Sequence, residues 1–179
     1  MNLILVTGND DKLREAQRIL GRPLAREKLD LPEVQAATTA EVALEKARAA
    51  FATLGKPVVV EDAGVELAAF GSFPGPFIKF WEKLGGLESI CRAVDGANDR
   101  RVTAVCVLGV CTEDEAFVVE GRVSGTVADA PRGTNGFGWD AIFVPDGETR
   151  TFGEMSAGEK DAISHRRRAW EALAARLGR

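Results

Sequence analysis

Two short apolar runs with helical patterns between them are the feature that most constrains the fold. The first run, residues 3–7, predicts a buried strand, and a helix over Asp10–Leu20 follows it. Thr38 and Glu41 have capping-box spacing and predict the start of a second helix. The second run, PVVVEDAG, predicts a short strand that ends at its two acids. Strand, helix and strand in this order predict a parallel pair joined by a right-handed crossover.

The remainder of the chain predicts antiparallel strands and one more long helix. The Gly- and Pro-rich stretch FGSFPGPFIKFWEKLGG predicts a loop before a helix near residue 90. Residues 101–110 and 116–127 predict an antiparallel hairpin, and residues 142–144 predict a short strand. Ser156 and Glu159 predict the start of a final helix that continues to about Arg176. We therefore expect a mixed α/β fold, built on a central sheet flanked by helices, in one domain over residues 1–179.

Composition excludes several classes of function. The chain has 179 residues, of which 45% are hydrophobic and 28% charged, which suits one globular domain with a proper core. The net charge of -4 argues against a nucleic-acid binder or a protein that binds anionic membranes, because both need an extended basic surface. The N-terminal run LILV is too short for a signal peptide, and no apolar run is long enough to span a bilayer. We expect a cytoplasmic protein.

The cysteines and the single histidine limit the metals that the protein can hold. Cys91, Cys106 and Cys111 show no CxxC spacing, so they predict core residues and not a disulfide framework or a zinc site. His165 is the only histidine. A metal site would therefore rest on carboxylates and substrate oxygens, which favours Mg²⁺ or Mn²⁺.

Two neighbouring strand ends carry the strongest candidates for a site. Thr7, Gly8 and Asn9 form a turn between the first strand and a helix with Lys12 in its first turn, a junction that suits an anion. The alternative is an ordinary turn in which Asn9 or Asp10 caps the helix. Glu61 and Asp62 end the second strand at the same sheet edge, where ligands of open α/β sheets gather. Their alternative role is to cap the next turn.

Other charged residues are weaker candidates when each is taken alone. Glu33 lies in LPEVQ, and lysines such as Lys46 and Lys160 are more often solvated than functional. Successive residues of a helix point about 100 degrees apart, so the run SHRRR does not present every charge to one site. We expect Arg167 and Arg168 to lie at the surface.

Several motifs together give the chain a family resemblance. TGNDDK, LPEVQ, VVVEDAG, FPGPFIKFW, GFGWD, TFGEM and EKDAISHR occur over nearly the whole chain in this order. The set resembles the inosine triphosphate pyrophosphatase family, also called the non-standard purine nucleoside triphosphate pyrophosphatases. The forms FPGPFIKFW and GFGWD are more similar to the eukaryotic branch of that family than to many bacterial members.

The resemblance implies hydrolysis of ITP, dITP and XTP to the monophosphate and pyrophosphate with Mg²⁺. It also implies an elongated two-lobed α/β fold and a homodimer. By position, it implies a triphosphate-binding set of Thr7, Gly8, Asn9, Lys12, Lys46 and Lys79, and metal-binding carboxylates at Glu33 and Asp62. The implied base-recognition set is Phe137, Gly138, Trp139, Asp140, Lys160, His165 and Arg166. Ala63 departs from the pattern, because many relatives carry Ser or Thr at this position. Ala63 has no hydroxyl group to support the neighbouring Asp62, but the departure does not affect Asp62 itself as a metal ligand.

These residue types suit the implied chemistry. Asp62 can act as a metal ligand or as a general base, and Glu61 is a second candidate for the catalytic carboxylate. Phe137 offers a stacking face, while His165 and Arg166 can donate hydrogen bonds to a 6-oxo group that adenine lacks. Two alternatives stay open: a house-cleaning pyrophosphatase for modified pyrimidine nucleotides, and a nucleotide-sensing module without turnover.

Overall fold

The computed structural model describes residues 3–178. Within them, the strands are β1 Ile4–Val6, β2 Arg26–Glu27, β3 Val58–Leu67, β4 Pro74–Gly75, β5 Arg101–Cys111, β6 Ala116–Val127 and β7 Phe143–Pro145. The α-helices are α1 Asp10–Leu20, α2 Thr39–Leu54, α3 Ile78–Gly85, α4 Leu87–Ala97, α5 Ala157–Ile163 and α6 His165–Arg176. The strands form one mixed sheet in the order β2-β1-β3-β5-β6-β7, with β4 paired to β3. The prediction of a mixed α/β fold is confirmed.

The predicted parallel pair of strands is present, and the sheet extends beyond it to β2, which the sequence did not predict. β1 pairs in parallel with β3, and Val6 lies opposite Val60. The intervening α2 begins with a complete capping box, in which Thr38 accepts from the Glu41 backbone N–H and the Glu41 side chain accepts in return. These bonds satisfy backbone groups that a helix end leaves without partners, and so they fix where the crossover helix begins.

β3 differs from its prediction. It does not end at Glu61 and Asp62 but continues to Leu67, so the prediction that the strand stops at its two acids is wrong. The reason is the long antiparallel partner β5, which pairs with every residue of β3. β1, on the other side, ends at Val6, so β3 extends beyond it and leaves its edge uncovered near the two acids.

Two further predictions need correction. The stretch predicted as a loop contains β4 and α3. Pro74 and Pro76 precede α3, so neither proline interrupts the amphipathic helix that begins at Ile78. The single final helix is instead α5 and α6, separated at Ser164. Ser164 has an extended backbone, and its side chain accepts from the Arg167 N–H, which caps α6 as a new helix.

The apolar core lies on both faces of the long strands. On one face, α1 and α6 cover one end, with Trp170 and Leu173 packed on Val59, and α4 covers the other end. On the opposite face, α2 packs its alanines against Val58 and Val60. All three cysteines are buried and free, as expected of core residues. Within residues 3–178, no helix combines the length and the apolar character that crossing a membrane requires.

Candidate active site

A cavity of about 650 Å³ opens where β1 ends and β3 continues. Such a position, at the carboxyl end of a parallel strand, is where α/β sheets bind ligands. The cavity brings together every predicted site residue except Lys160: Thr7, Gly8, Asn9, Lys12, Glu33, Lys46, Glu61, Asp62, Ala63, Lys79, Phe137, Gly138, Trp139, Asp140, His165 and Arg166. Residues far apart in the sequence therefore share one site.

The turn after β1 forms the first wall of the cavity. Asn9 Oδ1 accepts from the backbone N–H groups of Asp11 at 2.8 Å and Lys12 at 3.2 Å, so Asn9 does cap α1. The cap and the cavity wall are the same structure, because Thr7, Gly8 and Asn9 all line the cavity. Lys12 Nζ lies 3.2 Å from the backbone oxygen of Glu61, so this lysine crosses to β3 and is not a solvated helix residue.

Glu61 and Asp62 point to opposite faces of the sheet, since successive side chains of a strand alternate. Glu61 lies on the α6 face, where Arg166 donates to it twice, from Nε at 2.9 Å and from Nη2 at 2.8 Å. Burial raises the pKa of Glu61, but the charges of Arg166 and Lys12 outweigh burial and leave the pKa below its usual value. Glu61 is therefore held ionised in a buried ion pair.

Asp62 lies on the α2 face and forms no such ion pair within the part of the chain that the structure describes. Only 8% of its surface is exposed, and its Oδ2 has no hydrogen-bond partner among residues 3–178. Burial raises the pKa of Asp62, and the attraction of Lys12 and Lys46 does not offset it. An unpaired buried carboxylate that lines a cavity can accept a metal ion or a proton, so the geometry favours Asp62 over Glu61 as the reactive group.

Glu33 brings a second carboxylate to the same end of the cavity. Its Oε1 accepts from Lys46 Nζ at 2.7 Å, and its Oε2 accepts from Lys79. Burial lowers the pKa of Lys79, and the charge of Lys12 lowers it further. Lys12, Lys46 and Lys79 all line the same cavity, so they can contact one polyanionic ligand.

The carboxylates fit Mg²⁺ better than a metal with an all-protein ligand shell. Within residues 3–178 no group of three or more His, Cys, Asp and Glu side chains is placed to hold a metal. Mg²⁺ commonly binds one or two carboxylates and takes its other ligands from water and substrate phosphates. Asp62, with its unpartnered oxygen, and Glu33 match that donor set.

The other end of the cavity carries aromatic and basic side chains. Lys160 Nζ lies 4.8 Å and Arg166 Cζ 5.4 Å from the centre of the half-buried Phe137 ring. Trp139 contacts the His165 ring with 5.1 Å between centroids. Asp140 accepts from the Phe137 N–H at 2.8 Å and so fixes the start of this turn. A planar base suits such a surface.

His165 stands at the N-terminus of α6 and is almost completely buried, at 1% exposed. Gly121 permits this position, because a Cβ on it would lie 2.1 Å from the His165 carbonyl oxygen. Neither ring nitrogen has a partner among residues 3–178. Burial lowers the pKa of His165 well below its usual value, with smaller effects from Arg166 and Lys160, so the ring is neutral near pH 7. A neutral imidazole has one donor and one acceptor.

Lys160 lies behind the cavity wall and not in it. The sequence alone favoured a solvated lysine at this position, but Lys160 is only 2% exposed. Its Nζ contacts Asp140 at 2.5 Å and Glu15 at 2.7 Å. Glu15 also accepts from Arg166, so it joins the two buried cations. Sequence reasoning missed Glu15. The only available signal was its position three residues after Lys12, on the same face of α1.

The order and spacing of these residues agree with a known protein family. The model of the Ham1 family matches residues 3–176. This chain belongs to the Ham1 family. Two relatives illustrate the match. The inosine triphosphate pyrophosphatase of Yarrowia lipolytica is 43% identical over 97% of this chain and 94% of its own length. The dITP/XTP pyrophosphatase of Methanopyrus kandleri is 39% identical over 97% of this chain and 95% of its own length.

Solved structures of Ham1 proteins have the same fold. The Ham1 protein of Staphylococcus aureus superimposes with a TM-score of 0.84 at 30% identity, covering 98% of this chain and 97% of that protein. A HAM1 protein from Coxiella burnetii gives 0.83 at 31% identity, covering 99% of each chain. The predicted family resemblance is thus confirmed. The roles of the individual site residues stay predictions.

Proposed function

We propose that this Ham1 family member hydrolyses ITP, dITP and XTP to the monophosphate and pyrophosphate, with Mg²⁺. The observation that carries the proposal is the unpartnered carboxylate of Asp62 in a cavity with lysines at one end and an aromatic, basic surface at the other. The names of the relatives, which are pyrophosphatases for ITP, dITP and XTP, support the same reaction class. Hydrolysis of these nucleotides would cleanse the nucleotide pool.

The triphosphate fits the end of the cavity that holds the lysines. Lys12, Lys46 and Lys79 can offset the charge of the phosphates and of the departing pyrophosphate. The turn over residues 7–9 presents backbone at a helix N-terminus, and a Cβ on Gly8 would meet open space. A phosphate can therefore approach this turn closely.

Cleavage between the α and β phosphates needs a water molecule in line with the bond that breaks. Bound Mg²⁺ would supply polarisation of the phosphate and help to form the nucleophile. Asp62 and Glu33 would hold that ion. Asp62 can alternatively accept the proton of the attacking water, since burial raises its pKa toward the working pH. Both roles need the same unpartnered oxygen.

The base fits the opposite end. Phe137 supplies a stacking surface, and Arg166 has five N–H groups of which three bond to Glu61 and Glu15. The two that remain can donate to a 6-oxo group, as can the neutral His165. The 6-amino group of adenine accepts neither bond, which favours ITP over ATP.

A substrate panel tests the proposal. The purified protein is incubated with ITP, XTP, GTP, ATP and dUTP in the presence of Mg²⁺, and the products are identified. We expect pyrophosphate from ITP and XTP and little from the others. Turnover confined to pyrimidine nucleotides would replace the proposal with the pyrimidine house-cleaning function. Binding of ITP without any product would replace it with the sensing function.

Removal of the metal is the second test. EDTA should abolish ITP hydrolysis, and added Mg²⁺ or Mn²⁺ should restore it, because the two carboxylates suit a hard divalent cation. The measurement is the initial rate of pyrophosphate release before and after chelation. Full activity in EDTA would contradict a metal site at Asp62 and Glu33.

Lys12→Ala should weaken triphosphate binding. We expect KM for ITP to rise by about tenfold, the usual effect of losing a hydrogen bond from a charged group, with a smaller effect on kcat. Lys56→Ala is the matched control, because Lys56 is exposed and outside the cavity. Steady-state kinetics of both variants measure the difference. Unchanged KM and kcat in Lys12→Ala would remove this lysine from the site.

The proposal also includes a homodimer, which the family resemblance implies, and a cytoplasmic location, which the sequence predicts. Sedimentation equilibrium of the purified protein tests the first, with twice the mass of the 19.2 kDa chain as the expected value. A monomer at the concentration of the assay would contradict the dimer. Fractionation of the producing cells tests the second.

A further inference from the structure

Glu82 is an acidic residue of the substrate cavity that the sequence did not single out. It lies on α3 and lines the same cavity as Phe137, His165 and Arg166. Its Oε2 is close to the turn that begins at Gly138, since a Cβ built on Gly138 would lie 3.4 Å from that oxygen. Glu82 therefore stands at the end of the cavity that suits the base.

Among the described residues, 3–178, no lysine or arginine compensates the charge of Glu82. At the base end, the two buried cations already have carboxylate partners. Lys160 pairs with Glu15 and Asp140, and Arg166 pairs with Glu15 and Glu61, while the half-buried Lys12 also contacts Glu61. Burial raises the pKa of Glu82, the neighbouring Asp140 raises it further, and no cation among residues 3–178 lowers it. Glu82 thus adds a negative charge to a surface that is already balanced.

Hypoxanthine and xanthine respond differently to such a charge. Hypoxanthine is neutral near pH 7. Xanthine has a second oxo group that stabilises its anion, so the xanthine base loses a proton close to neutral pH. A carboxylate beside the base repels the anionic ring and leaves the neutral ring nearly unaffected, because like charges interact strongly in a partly desolvated cavity.

Resting on the proposed function, we propose that Glu82 is a specificity-determining residue that disfavours xanthine nucleotides relative to hypoxanthine nucleotides. The observation is its position in the cavity, against the Gly138 turn at the base end. The enzyme would still accept XTP, but it would prefer ITP by a margin that Glu82 sets.

Glu82→Gln tests the proposal, because it removes the charge and keeps the size of the side chain. We expect the ratio of kcat/KM for XTP to kcat/KM for ITP to rise by about tenfold, which equals about 1.4 kcal/mol. The assay is run at about pH 8, where a glutamate and the xanthine base are both ionised. Glu88→Gln is the matched control: it removes the same charge from an exposed site on α4, outside the cavity, and should leave the ratio unchanged.

Calorimetric binding of IMP and XMP gives a second measurement that does not depend on turnover. The ratio of the two affinities should shift toward XMP in Glu82→Gln by the same factor. An enzyme that hydrolyses ITP but shows the same XTP to ITP ratio in Glu82→Gln as in the native protein would overturn this inference alone. No pyrophosphate from either nucleotide in the native protein would instead overturn the proposed function.

Discussion

Asp62→Asn is expected to reduce kcat for ITP by roughly a hundred- to ten-thousandfold, the usual contribution of a positioned acid or base. The amide keeps the shape of the side chain but removes the charge that would hold a metal ion or accept a proton. Because Oδ2 of Asp62 has no partner within residues 3–178, no structural ion pair is lost in the exchange. The loss should therefore appear in catalysis and not in folding.

The stability of the same variant provides the check. A carboxyl group whose pKa is raised by folding costs stability above its unfolded pKa, since the folded state disfavours the charged form. Asparagine carries no charge, so the Tm of Asp62→Asn should equal or exceed that of the native protein near pH 7. Asp129→Asn, at an exposed position, is the matched control and should retain full activity. Near-normal turnover in Asp62→Asn would remove Asp62 from the mechanism.

The pattern of apolar residues predicted most of the fold. Helices that bury one face show helical spacing, and strands that are buried on both faces, such as β3 and β5, contain continuous apolar runs. The capping boxes at Thr38 and Ser156 gave helix starts that the structure confirms. The end of β3 was not predictable in the same way. Two acids after three valines indicate a strand end, and only the partner β5, distant in the sequence, shows that the strand continues. The division between α5 and α6 was also hidden, because Ser164 is a capping residue inside a helical pattern.

The candidate site was predictable from the motifs, but its internal pairing was not. Motif positions indicated which residues belong together, and the cavity contains nearly all of them. The motif positions did not indicate that the side chains of Glu61 and Asp62, which are adjacent in sequence, point to opposite faces of the sheet. Alternation along a strand separates the two acids, and the helix on each face decides which one is neutralised. Glu15 was missed because a single acid on an amphipathic helix resembles any solvated residue.

Arg166→Ala is the second change with a large expected effect, and its first consequence is structural. Arg166 is 1% exposed and bonds to Glu61 and Glu15, so its removal leaves two buried carboxylates with less opposing charge. Breaking a buried ion pair costs about 3–5 kcal/mol, which for a chain of this size lowers Tm by roughly 6–20 °C. Arg167→Ala, which removes a partly exposed pair with Glu171, should lower Tm by far less. Thermal unfolding measures both.

The second consequence of Arg166→Ala concerns the base, and a ratio separates it from the loss of stability. If Arg166 donates to the 6-oxo group, kcat/KM should fall more for ITP than for ATP, because the amino group of ATP never accepted that bond. The preference for ITP should then narrow by roughly ten- to a hundredfold. Both nucleotides are measured on the same sample, so any unfolded fraction lowers the two values equally and cancels from their ratio. Equal losses for ITP and ATP would mean that Arg166 holds Glu61 and Glu15 in place and does not read the base.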